Sequence, residues 1–170
     1  RSGELNGSDN WFYITMIPGD NPIITFAEKL NSIAIQGQDD FVDVLRTNAF
    51  DVVQMIGDMV GQERIFLLID QFEEVFTQVE DEAEHKNFID LLVRLSKSDL
   101  GIVIVITLRA DFYDKPLAYR ALGELIQQST VTVLPMSSDE LVQVILAPAK
   151  SVNCEVQPSL VSQLIADTIH

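Results

Sequence analysis

The chain has 170 residues, 47% of them apolar and 22% charged, the composition of one globular domain able to bury a sizeable core. Its net charge of −15, with no basic run to offset it, argues against nucleic acid or an anionic membrane as partner. No apolar run reaches the roughly 18 residues of a membrane span. Cys154 is the only cysteine, so there is no internal disulfide or cysteine-cluster metal site, and the expected location is cytoplasmic.

Residues 1–10 are polar, lack the apolar core of a signal peptide, and predict a loop. Residues 11–17 are aromatic and β-branched and predict a strand. Pro18-Gly19-Asp20-Asn21-Pro22 stops it. Asn21 can cap a helix that has Pro22 at its first position and runs to about Ile35. Its apolar face is Ile23, Phe26, Ala27, Leu30 and Ala34, and Gly37 ends it. A second helical stretch opens at Asp39 or Asp40 and carries Phe41, Leu45, Val52, Ile56 and Met59 at helical spacing to Gly61. Thr47-Asn48 is a candidate break within it.

Residues 65–70 are five apolar residues followed by Asp70. The absence of alternation predicts a strand buried on both faces, as in a parallel sheet. Residues 73–78 predict a short helix, and 82–97 a longer one with Phe88, Leu91, Leu92 and Leu95 as its stripe. Residues 102–108 are a second unbroken apolar strand. A helix at about 116–127 and a short strand at 130–134 follow, and Pro135 breaks the strand. Ser137 or Ser138, with Glu140, marks the cap of a helix ending near Ala147-Pro148, and Ser159 starts a last helix to His170. Alternating strands and helices predict an α/β fold, a three-layer sandwich with a mainly parallel sheet. The expected division is 1–135 for the core and 136–170 for a helical extension.

The chemistry-bearing residues gather at strand ends. Asp70 sits where open α/β sheets bind ligands, and a carboxylate there can hold Mg²⁺ beside a nucleoside triphosphate. The plainer alternative is an acid capping the next helix. Glu73 or Glu74 could orient an attacking water, or could simply be acids favoured at a helix start. Gln71 stands where many P-loop ATPases carry a glutamate and cannot act as a base. Thr107 and Arg109 lie at the end of the next buried strand. Arg109 could contact a γ-phosphate, or pair with Asp111, Asp114 or Asp70. His85 and His170 have no metal-ligand partner at motif spacing and read as solvated. No Gly-x-Ser-x-Gly elbow occurs.

The strings Asp70-Gln71-Phe72-Glu73-Glu74 and Leu108-Arg109-Ala110-Asp111-Phe112-Tyr113 resemble the novel-STAND class of P-loop NTPases. So do Leu134-Pro135-Met136-Ser137, Ala147-Pro148-Ala149, Gly7-Ser8-Asp9-Asn10-Trp11 and Pro18-Gly19-Asp20-Asn21-Pro22. The resemblance implies a P-loop NTPase-like switch domain in a multidomain signalling protein, often one that also carries WD repeats. It implies ATP or GTP with Mg²⁺ as cofactors, Asp70 as the Walker B ligand, Arg109 as sensor, and Glu73 or Glu74 as the second acid. It also implies a sheet of order 5-1-4-3-2.

The sequence departs from the family in one respect: no Gly-x-x-x-x-Gly-Lys-Ser/Thr is present, and no Gly-Lys pair. The expectation is a fragment without the first strand and phosphate loop, binding no cofactor tightly by itself. Its expected partners are other domains of the parent chain and further copies of itself, through an exposed sheet edge. The alternative is a nucleotide-independent interaction scaffold with a degenerate P-loop-like fold.

Overall fold

A computed structural model describes residues 8–33, 45, 49–61 and 63–168. By its contacts the chain divides into two compact units, Arg1–Ser129 and Thr130–His170.

In the first unit three strands make one parallel sheet: β1 (Phe12–Met16), β2 (Ile65–Ile69) and β3 (Ile102–Ile106), in that spatial order. Register sets Ile14, Leu67 and Ile104 side by side, and two residues on Met16, Ile69 and Ile106. These are the strands expected at 11–17, 65–70 and 102–108, trimmed at their ends and adjacent as the resemblance implies.

Helix α1 (Pro22–Ile33) follows β1 and α2 (Ala49–Val60) precedes β2. The short α3 (Glu74–Thr77) and the long α4 (Glu82–Lys97) lead from β2 to β3. Helix α1 starts at Pro22, where the missing N–H would have had no helical partner anyway. It buries Ile23, Phe26, Ala27 and Leu30. Helix α4 is capped by Asp81, whose carboxylate accepts from Ala83 N at 2.8 Å, and its last turn carries Arg94 and Lys97 against the helix dipole. The expected features at Ala34, Gly37, Asp39, Asp40, Phe41 and Thr47-Asn48 lie outside the described residues.

Both connections step the same way across the sheet. Right-handed crossovers then put their helices on one face. Burial agrees: Ile14, Met16, Ile65, Leu67 and Ile69 are buried under α1 and α4, with Val52 and Ile56 of α2 in the same core. On the other face Tyr13, Val103 and Val105 are 40%, 37% and 37% exposed. The α/β class with a parallel sheet is therefore present, and the described helices of this unit supply one of the two layers that flank a sandwich's sheet. After β3 come α5 (Asp114–Leu117) and α6 (Arg120–Ser129), in place of the single helix expected at 116–127; α6 packs its Leu122 into the core beside α4.

The second unit corrects two expectations. Residues 130–134 form no strand; Val131 and Val133 are 86% and 90% exposed. A β-branched run has only a preference for the sheet, and becomes a strand when an edge is there to pair with. Helix α7 (Ser138–Ser151) also continues through Pro148 instead of ending there. Its true stop is Asn153, at φ +54°, with Cys154 N bonded to Ala149 O at 2.8 Å. The Ser137–Glu140 capping box is formed as its spacing predicts, and α8 (Pro158–Thr168) packs on α7.

Candidate functional site

Strand β2 ends at Ile69 and the chain turns at once. Gln71 takes φ +54°, a left-handed conformation unusual for a residue with a Cβ. The turn is stitched to both neighbouring strands. Asp70 N donates to Met16 O at 2.9 Å, Thr107 N to Ile69 O at 3.0 Å, and Phe72 N to Thr107 O at 3.0 Å. Phe72 is fully buried and meets Phe76 edge-to-face, with ring centroids 5.6 Å apart. The loop is thus anchored by the core while its polar groups stay at the surface.

Those groups converge. The Thr107 hydroxyl donates to Asp70 Oδ1 at 2.5 Å. Gln71 N lies 3.1 Å from Asp70 Oδ1 and 3.0 Å from Thr107 Oγ1, closing a triangle between the ends of β2 and β3. A shallow cleft is lined by Asp70, Gln71, Glu73, Thr107, Leu108 and Arg109.

Arg109 follows one of its expected alternatives. Its guanidinium pairs with Asp111 at 2.7 Å, in a solvent-exposed contact. The hydrogen bond that the Arg109 guanidinium donates to Asp111 raises the Arg109 pKa and lowers that of Asp111. Only the Arg109 backbone N–H reaches toward the cleft's acid, 3.5 Å from Glu73 Oε2. Glu74 faces elsewhere: its Oε2 accepts from Gly19 N at 3.0 Å. Adjacent residues on a helix point about 100° apart, so one turn can aim its two acids at different neighbours. The Gly19 contact was not foreseen from the sequence, though the Pro18-Gly19 turn just past β1 marks the spot.

His85 corrects another expectation. It is half-buried rather than solvated, with its ring 5.1 Å from Phe76 and 5.3 Å from Tyr119. Its Nε2 is buried and has no hydrogen-bond partner. Burial lowers its pKa from the ordinary 6.5, with Glu82 pulling weakly the other way. His170 lies outside the described residues.

The described residues contain no group of three or more His, Cys, Asp or Glu able to hold a metal. What they offer is the Asp70 carboxylate and the Thr107 hydroxyl, hard oxygens at a solvent-facing strand end, with the Glu73 carboxylate in the same cleft. Mg²⁺ is commonly held by one or two carboxylates plus water and substrate phosphates, so this donor set fits that ion with Asp70 as its anchor.

The family model described as Novel STAND NTPase 1 matches residues 1–170. No curated protein and no solved structure matches the chain. Among the described residues no helix is long and apolar enough to cross a membrane. With the match running the full length of the chain, over a parallel sheet whose acidic loop sits at its strand ends, this protein belongs to the novel STAND NTPase 1 family.

Proposed function

We propose that this chain forms part of the nucleotide-binding switch domain of a STAND-type signalling NTPase, with residues 65–74 as its Walker B segment. The observation that carries the reading is the Asp70–Thr107 bond, which joins the ends of two neighbouring parallel strands where such sheets bind ligands. Asp70 is the residue that would hold Mg²⁺ for ATP or GTP, with Thr107 orienting its carboxylate. Arg109, which pairs with Asp111, is the cation that would bind a γ-phosphate in place of that carboxylate. Glu73, which lines the cleft, is the acid that would orient water. Mg²⁺ would neutralise phosphate charge there.

Because no Gly-Lys phosphate cradle is present in the sequence, binding by this chain alone is weak. Titration of Mg-ATP and Mg-GTP into the ¹⁵N-labelled chain tests both points. The expected result is a small, unsaturated shift of the amides at 70–73 and 107–109, abolished in Asp70→Asn. Shifts confined to other regions would favour the interaction-scaffold reading. Calorimetry giving micromolar affinity would overturn the claim that the main phosphate contacts are missing.

A further inference from the structure

The two adjacent acids, Glu73 and Glu74, look equivalent in sequence, and the fold separates them. We infer that Glu74 is a positioning residue: it ties the turn after β1 to the acidic loop and leaves Glu73 as the acid of the cleft. This rests on the site proposed above and divides the labour within it.

Glu74 Oε2 accepts from Gly19 N, a contact between residues 55 apart in the chain. The turn that presents this N–H is held from its other side. The Thr25 hydroxyl lies 3.3 Å from Pro18 O and 3.1 Å from Asn21 O, so α1 braces the turn. Gly19 is at φ +64°, and a Cβ there would meet nothing within 4 Å. Glycine is therefore required by the backbone conformation that aims the N–H, and not by crowding.

The turn and the acidic loop also share a strand end, because Met16 O accepts from Asp70 N at 2.9 Å. Asp70 is thus held on one side by β1's last residue and on the other by Thr107. Glu74 adds a second link to the β1 side, four residues along the loop. A charged acceptor on a backbone N–H makes one of the stronger hydrogen bonds available at a partly exposed site. Glu73 makes no such tie. Among the described residues its carboxylate is approached only by Arg109 N, at a long distance, and it faces the cleft.

Amide hydrogen exchange at Gly19 reads the tether directly and needs no nucleotide. Glu74→Ala should speed exchange at Gly19 by about tenfold or more, the size of a lost hydrogen bond to a charged group. Glu74→Gln keeps a side-chain oxygen and should stay within about threefold of the parent chain, since a neutral acceptor is roughly half as strong. Glu73→Gln should leave Gly19 unchanged.

Mn²⁺, added as a paramagnetic probe for the Mg²⁺ site, supplies the second readout through broadening of the Gln71 and Thr107 amides. Glu74→Ala should weaken that broadening and Glu74→Gln should restore it, as expected of a group that positions without touching the ion. Unchanged Gly19 exchange in Glu74→Ala would overturn the tether. Equal loss of Mn²⁺ broadening in Glu74→Ala and Glu74→Gln would overturn the positioning role, since the charge itself would then be acting. If the parent chain gives no Mn²⁺ broadening at Gln71 while Glu74→Ala still releases Gly19, the metal assignment of Asp70 fails and the tether stands.

Discussion

His85 carries a stability signal that a solvated histidine would not. It packs against Phe76 and Tyr119, with the Tyr119 hydroxyl 3.5 Å from Nδ1 and with Nε2 buried without a partner. Burial favours the neutral ring and lowers its folded pKa below the ordinary 6.5; Glu82 opposes this only in part. The stability contributed by the neutral ring is complete above 6.5 and is lost as pH falls through the folded value. Melting temperature should therefore drop on going from about pH 8 to about pH 5, within the range where histidine titrates. His85→Phe keeps an aromatic ring and removes the titration. The difference between the two melting curves should be small at high pH and grow in favour of the variant on acidification. Parallel curves would show that His85 is not held neutral by the fold.

At the scale of elements, what the sequence revealed depended on whether the signal was local. Helix α4 is read from sequence with both ends correct because its Phe88–Leu95 stripe lies within it, and the structure adds Asp81 as its cap and basic residues in its last turn. Asp81→Ala should cost about 1 kcal/mol of stability in denaturant titrations, the usual value of an N-cap side chain; an effect near zero would mean that packing alone fixes that end.

Strands β2 and β3 are equally legible, since an unbroken apolar run needs burial and a parallel sheet supplies it. Residues 130–134 show the limit: their composition is as strand-like, yet pairing is not written in the segment itself. The end of α7 shows another. Pro148 removes one N–H and invites a stop, while the stop comes from Asn153 in a left-handed conformation. The acids divide along the same line. Their place on the loop after β2 follows from the sequence, whereas the partner of Glu74 lies 55 residues away and only the fold brings it near.

At the scale of the whole molecule, two features oppose each other. Among the described residues no strand pairs with the outer side of β3, and the sheet face bearing Val103 and Val105 stays partly exposed. An edge strand presents alternating N–H and C=O groups that a second copy can use. Against this stands a net charge of −15, which makes copies of the chain repel one another. The repulsion is screened over about 8–10 Å at moderate ionic strength, whereas strand pairing acts at contact. Self-association through β3 should therefore be weak at low salt and strengthen as salt is raised. Sedimentation velocity should show a monomer giving way to larger species with concentration and salt. Val105→Lys puts a charge on the edge strand, a common way in which natural sheets block pairing, and should hold the chain monomeric under the same conditions. A parent chain that sediments as monomer throughout, or a Val105→Lys variant that associates as readily as the parent, would remove β3 as the contact.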